Sequence, residues 1–247
     1  MAIKLEMNKE KIKEFESLYY NLKLSHHNFK RMLTYLNWCF EGIDFNGKSV
    51  LDIGGGNGIY SFFSKLKGAS SVLNLEPFSA GSSKFNFEGV EIIDDLSISV
   101  KNQTIQDFKT NKSYDIIILH DSINHLDENI FKDIHQDENK FELYKKLISK
   151  IIKILAYNGK MVITDCSRRN FWGDLGLKNP FAPSIDWHLH QSPTLVFKLF
   201  ENHTFDKKIR WSPFKRLGIF GYFISSLGMF PSYFLQSHFN LCISKVT

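Results

Sequence analysis

The chain is poor in the residues that staple or stiffen a fold. Among its 247 residues are three cysteines and six prolines. Cys39, Cys166 and Cys242 are widely spaced, odd in number and form no C-x-x-C pair, which argues against a disulfide framework or a structural zinc site and predicts a reducing cytoplasm. The first ten residues lack the apolar core of a signal peptide. There is no internal repeat and no low-complexity tract. An uninterrupted membrane span is missing too. Leu217 to Leu235 is apolar but carries Gly218, Gly221, Gly228, Pro231 and several serines, so it reads as a buried or interfacial insertion without stable membrane insertion. A strong excess of one charge is also absent, the net charge being +5. The basic group Lys207, Lys208, Arg210, Lys215 and Arg216 reads as a solvated strand edge and loop, with contact to an anionic acceptor or a membrane surface as the alternative.

What the chain has is apolar bulk: 43% apolar residues, with 23 Phe and 9 Tyr. That suffices for one large core with appendages. Phe29, Met32, Leu33, Leu36 and Phe40 repeat as one stripe of a helix starting near Ser25, within a helical N-terminal cap (1–47) set apart from the core. From there strand and helix alternate, the pattern of a doubly wound α/β sheet. Strands are predicted at Ser49–Ile53, Ser71–Leu75, Ser97–Lys101, Tyr114–Leu119, Lys160–Thr164, Thr204–Trp211 and His238–Ser244. Val90–Ile93 competes for the third, within an irregular stretch between Pro77 and Ser97. A helix from about Phe141 to Leu155 is predicted to stop at Asn158-Gly159.

The densest signal is Val50-Leu51-Asp52-Ile53-Gly54-Gly55-Gly56-Asn57-Gly58, a strand, a tight turn and a helix start. Glycine permits positive φ and close approach of backbone to a ligand. A dinucleotide turn reads G-x-G-x-x-G, and here the third glycine comes one residue early. Asp52 and the alternating glycines resemble motif I, D-x-G-x-G-x-G, of the class I S-adenosylmethionine-dependent methyltransferases. Glu76, ending the second strand, has the spacing of an acid that accepts both ribose hydroxyls. The resemblance covers roughly residues 48–166 by motif. It implies a Rossmann-like, seven-stranded mixed sheet with the last strand antiparallel, helices on both faces, and a methyltransferase domain over 48–247.

The resemblance implies S-adenosyl-L-methionine as cofactor, held by Asp52, Gly54, Gly55, Gly56, Gly58, Glu76, Thr104, Ile105, Asp121 and Ser122. Asp52 is expected to face the ammonium group, and Thr104 with the Ile105 amide to meet adenine. The loop His120-Asp121-Ser122-Ile123-Asn124-His125 matches the family's fourth motif in its small-molecule members. It is not the N/D/S-Pro-Pro-aromatic motif of enzymes acting on base or glutamine nitrogens, so no nucleic acid partner is expected.

The acceptor is expected to be a small molecule bearing a hydroxyl, such as a sugar or sugar nucleotide. A histidine base suits that chemistry at neutral pH. His125 is the first candidate, followed by His188 and His190 in a pocket loop and helix (166–200) that also carries Arg168, Arg169 and Gln191. A second insertion is expected at 212–237. Tyr19, Tyr20, His26 and His27 are candidates for a lid. No metal ligand is assigned, although Asp121 and Asp165 end neighbouring strands in the manner of Mg²⁺-assisted O-methyltransferases. N-methylation, a nicotinamide oxidoreductase and a non-catalytic binding protein are the remaining alternatives.

Overall fold

Alternate residues of the central strands feed two different apolar clusters, and this period of two organises the molecule. Val50, Val72, Ile98, Ile116, Ile118 and Val162 face one way. Leu51, Ile53, Leu73, Leu75, Ile117, Leu119, Met161 and Ile163 face the other. Strands buried on both faces in this way belong to a parallel sheet covered by helices. The computed structural model describes residues 9–77, 96–201, 205–212 and 219–245.

In chain order, helices α1 (Lys9–Asn21) and α2 (Phe29–Cys39) precede β1 (Ser49–Ile53), α3 (Ile59–Leu66), β2 (Ser71–Leu75), β3 (Ile98–Lys101) and β4 (Tyr114–His120). Then come α4 (Glu128–Phe131), α5 (Glu138–Lys153), β5 (Leu155–Cys166), α6 (Phe171–Asp174) and α7 (Pro193–Lys198). The chain closes with β6 (Phe205–Trp211), α8 (Ile219–Ser226), α9 (Met229–Phe234) and β7 (His238–Lys245). The seven strands form one sheet in the order β3-β2-β1-β4-β5-β7-β6. β7 runs antiparallel to both neighbours, and the β1–β2, β1–β4, β2–β3 and β4–β5 pairs are parallel. The sequence reading of a doubly wound mixed sheet with the last strand antiparallel is the fold observed.

Three local expectations need correction. The second N-terminal helix begins at Phe29, not near Ser25, because the Asn28 side chain accepts from the Lys30 amide at 3.0 Å and caps it. Nor do the N-terminal helices stand apart: Phe15, Leu18, Phe29 and Leu36 join Val50, Phe62 and Phe63 in a single cluster. Finally, α5 ends at Lys153. Leu155 has already left it to pair with Tyr114, and Asn158 (φ 57°) and Gly159 lie in the irregularity before the register resumes at Ile116–Lys160. Val90–Ile93 lies outside the described residues, and β3 occupies Ile98–Lys101.

Candidate active site

A cavity of about 440 Å³ opens beyond the carboxyl ends of β1, β2 and β4, where open α/β sheets collect ligands. Its floor is the turn between β1 and α3. Gly54 has φ +68°, and a Cβ there would lie 2.6 Å from the Ser122 Cβ. A Cβ on Gly55 would lie 2.3 Å from Asn74 Nδ2 and 2.8 Å from Asp52 Oδ2. Bare backbone is therefore required at both positions. The Gly56 N–H donates to Glu76 Oε2 at 2.8 Å, fixing a carboxylate that is 5% exposed at the rim of the cavity.

Of the proposed cofactor residues, Gly54, Gly55, Gly56, Glu76, Thr104, Ile105, Asp121 and Ser122 line this cavity. Gly58 does not; it caps α3 in a left-handed conformation. Asp52 does not line it either, against the expectation that it faces the ligand's ammonium. Its side chain lies beneath the turn, fully buried, with Oδ2 accepting from Ser61 Oγ at 2.7 Å. Asn74 Nδ2 donates to the same hydroxyl at 3.1 Å. Burial pushes the Asp52 carboxyl up to about 7, the Ser61 hydrogen bond opposes that rise, and the nearby Glu76 charge adds to it.

Ser122 is a positioning contact, its hydroxyl donating to the Ile53 carbonyl at 2.7 Å. The Thr104 hydroxyl donates to Asp107 Oδ2 at 2.7 Å while accepting from the Asp107 amide. Gln103 and Gln106 stand beside Thr104 on the cavity wall.

His125 is on the lining and half exposed. Its Nδ1 lies 2.5 Å from Glu128 Oε1, one turn along, and its Nε2 meets Asn124 Nδ2 only at 3.3 Å. His188 and His190 are not brought to the cavity. His188 sits in a short 3-10 turn, its backbone N–H capped by Asp186. His190 Nδ1 is 2.7 Å from Asp165 Oδ1 in the protein interior. Burial alone would lower the His190 pKa, but the Asp165 hydrogen bond and charge outweigh it and raise it.

The rest of the 166–191 loop is likewise spent on the fold. Arg168 bridges the carbonyls of Lys132 and His188, Arg169 pairs with Asp174, and Gln191 donates to the carbonyls of Phe131 and Lys132. No residue of that loop lines the cavity. None of the four residues read as a lid lines the cavity; Tyr19 is buried, donating to the His27 carbonyl and packed against Phe29, while Tyr20, His26 and His27 are exposed. Asp121 and Asp165 turn to different histidines, His238 and His190. Among the described residues, no group of three or more His, Cys, Asp or Glu is arranged to hold a metal.

One cluster at the cavity was not read from sequence. His120 stacks on Tyr60 with ring centroids 4.0 Å apart. The hydroxyls of Tyr60 and Tyr35 reach its Nε2 at 2.6 and 2.9 Å. His120 Nδ1 lies 3.3 Å from Asp121 Oδ2, and His238 takes the other Asp121 oxygen at 3.1 Å. Burial holds both tyrosines well above the ordinary phenol range, so both hydroxyls keep their protons. Asp121 adopts φ +48° to sit between the two histidines.

Cavity, glycine turn and strand order together define a Rossmann-like methyltransferase. The sequence profile of the Methyltransferase domain family matches residues 24–205, and the chain belongs to that family. Its cofactor is S-adenosylmethionine. No curated protein matches the sequence significantly. Solved structures resemble the fold at low identity. A Mesorhizobium loti S-adenosylmethionine-dependent methyltransferase superposes with a TM-score of 0.55 at 13% identity, covering 87% of this chain and 98% of its own. The plantazolicin methyltransferase BpumL, in complex with a monoazolic desmethylPZN analog and SAH, gives 0.54 at 17%, covering 97% and 99%. A Listeria monocytogenes protein gives 0.57 at 12%, covering 89% and 100%.

Proposed function

We propose that the protein transfers the methyl group of S-adenosylmethionine to a hydroxyl of a small molecule, with His125 as general base. The observation that carries this reading is His125 itself, a histidine on the cavity wall whose Nδ1 is held by Glu128. A base oriented by a carboxylate keeps its other nitrogen for the substrate. An acceptor hydroxyl displaces the long Asn124 contact and passes its proton to Nε2, and Glu128 stabilises the imidazolium that results.

The cavity residues fit the cofactor. Glu76 Oε2 is engaged by Gly56, leaving Oε1 and a second lone pair of Oε2 for two vicinal ribose hydroxyls. The glycine turn lets the amino acid end lie against backbone, and Thr104 with the Ile105 amide meets the adenine edge. When bound, the cofactor supplies an electrophilic sulfonium methyl and leaves as S-adenosylhomocysteine. The chain's own work is alignment and proton removal, of which alignment is worth up to ~7–11 kcal/mol in favourable cases.

The internal bonds of Arg168, Arg169 and His190 remove the observations that favoured a sugar or sugar nucleotide, so the acceptor is proposed only as a small hydroxyl compound. Three free cysteines support a reducing compartment as the place of work. Among the described residues no helix is long and apolar enough to cross a membrane. Calorimetry with S-adenosylhomocysteine, NAD and NADP, followed by an acceptor screen with labelled cofactor, tests the whole reading. Binding of NAD in preference to S-adenosylhomocysteine, or label found only on nitrogen, refutes it.

A further inference from the structure

Residues 219–235 contain no charged side chain, yet five of their large apolar side chains are exposed. They fold as α8 and α9, joined through Leu227 and Gly228. Phe220, Phe223 and Leu227 recur at i, i+3 and i+7, one face of a helix, and are 75%, 69% and 64% exposed. Met229 and Phe230, opening α9, are 63% and 73% exposed. The hairpin is nonetheless anchored from its other side. The Phe234 ring packs on Phe171 at 4.7 Å, and Trp172 Nε1 donates to the Phe234 carbonyl at 2.9 Å. The Tyr233 hydroxyl donates to Asp174 at 2.8 Å and Asn179 Nδ2 to the Leu235 carbonyl at 2.8 Å. A pinned element that turns its large apolar side chains to solvent marks an interaction surface.

Charge decides between occupants. From Lys207 to the last residue the sequence has no Asp or Glu, while Lys207, Lys208, Lys215 and Arg216 fall within the twelve residues before α8. Lys208 is exposed on β6, the edge strand that leads to the hairpin. A two-fold contact between copies would bring together two chains that carry only positive charge over this stretch of sequence. An anionic lipid surface answers both features at once, taking aromatic side chains at the acyl boundary and drawing Lys and Arg to its headgroups.

We propose that α8 and α9 dock the protein on an anionic lipid surface, with Phe220, Phe223 and Phe230 entering the interface and the basic character of this end of the chain, Lys208 on β6 included, giving it its preference for negative charge. The contact is peripheral, and it leaves the cavity beyond β1, β2 and β4 to its own chemistry.

The test is sedimentation of the full chain with phosphatidylcholine vesicles, with and without phosphatidylglycerol. Wild type is expected to pellet with the anionic vesicles several-fold more than with neutral ones, the bound fraction falling as salt rises. A Phe220→Ser, Phe223→Ser, Phe230→Ser variant should lose at least about tenfold in lipid binding while S-adenosylhomocysteine affinity stays at the wild-type value. A Lys208→Ala, Lys215→Ala, Arg216→Ala variant should bind both vesicle types alike. Wild type left in the supernatant with both lipids overturns the proposal. So does a dimer by light scattering that the phenylalanine variant dissociates without any lipid binding, which assigns the face to a second copy.

Discussion

The Gly56 amide donates to Glu76 Oε2 over 2.8 Å, so the turn after β1 holds the acid at the end of β2 in place before any ligand arrives. Preorganisation of this kind removes an ordering cost from binding. Glu76→Ala is expected to weaken S-adenosylhomocysteine binding by roughly 1.5–3 kcal/mol for each charge-assisted bond lost, read by calorimetry. Glu76→Gln, which keeps an acceptor oxygen for Gly56 but not the charge, should fall between the two. Wild-type affinity in Glu76→Ala would remove the ribose role.

The floor of the cavity makes a separate demand. Gly54→Ala puts a methyl 2.6 Å from the Ser122 Cβ at a backbone with φ +68°, and neither atom belongs to a flexible side-chain tip. Overpacking of this sort costs about 1–3 kcal/mol. The variant should show a lower denaturation midpoint and weaker S-adenosylhomocysteine binding together. Gly42→Ala, also at positive φ but with nothing within 4 Å of its Cβ, should lose stability and keep affinity. Loss of affinity in both variants would point to global loosening rather than to the floor.

What could be read in the sequence was what the chain keeps local. Strand, glycine turn and helix follow one another directly from Ser49 to Leu66, so motif and geometry coincide, and Glu76 follows at the end of the next strand. His125 was placed at the cavity for the same reason, its loop following β4 directly, whereas its contact with Glu128 was not read. Asp52 was found, but its direction was settled by Ser61 and Asn74, side chains from two other elements. The grouping of Tyr35, Tyr60, His120 and His238 had no local signal, because its members come from α2, α3, β4 and β7 and meet only through the strand order. The histidines of the 166–191 loop misled for the converse reason. Polar residues there suggested a binding wall, whereas they satisfy buried carbonyls and a buried carboxylate.

His190 and Asp165 illustrate that second case and give a pH signature. The folded His190 pKa is raised, so the pair's contribution is fully present below the unfolded value of about 6.5 and is lost as pH rises through the folded value. His190→Ala strips a buried partner from Asp165, whose own carboxyl is also pushed up by burial, so its cost is expected to be small at the acid end, where that carboxyl takes a proton, and to approach about 3–5 kcal/mol near the unfolded histidine value, where an unpaired buried charge would result. Urea denaturation across that range measures it. A cost independent of pH would show that His190 contributes packing alone.

For His125, truncation to Ala should lower turnover ~10²–10⁴-fold once the acceptor is known, with S-adenosylhomocysteine affinity near wild type. Glu128→Gln should lower turnover less, because the imidazole keeps its place and loses only charge stabilisation. Single-turnover rates with labelled cofactor separate this from slow product release. Unchanged turnover in His125→Ala would leave the acceptor proton without a protein base, as suits an amine that is already neutral.

Asp52 carries the last expectation. Its carboxyl is pushed up to about 7, chiefly by burial, whereas in the unfolded chain it titrates near 3.9. Between those values the folded state holds a proton that the unfolded state has released. Stability therefore falls as pH rises through the window and levels off above it. Asp52→Asn keeps an oxygen for the Ser61 hydroxyl and does not titrate. Its stability relative to wild type should climb from about pH 4 to about pH 7, by up to roughly 4 kcal/mol at 1.36 kcal/mol per unit. A cationic amino group on the far side of the glycine turn favours the ionised carboxylate and opposes the rise. Saturating S-adenosylhomocysteine should accordingly shrink the wild-type slope and leave the variant's unchanged. Parallel pH curves for the two proteins, with and without ligand, would mean that Asp52 is ionised throughout and that its place beneath the turn costs the fold nothing.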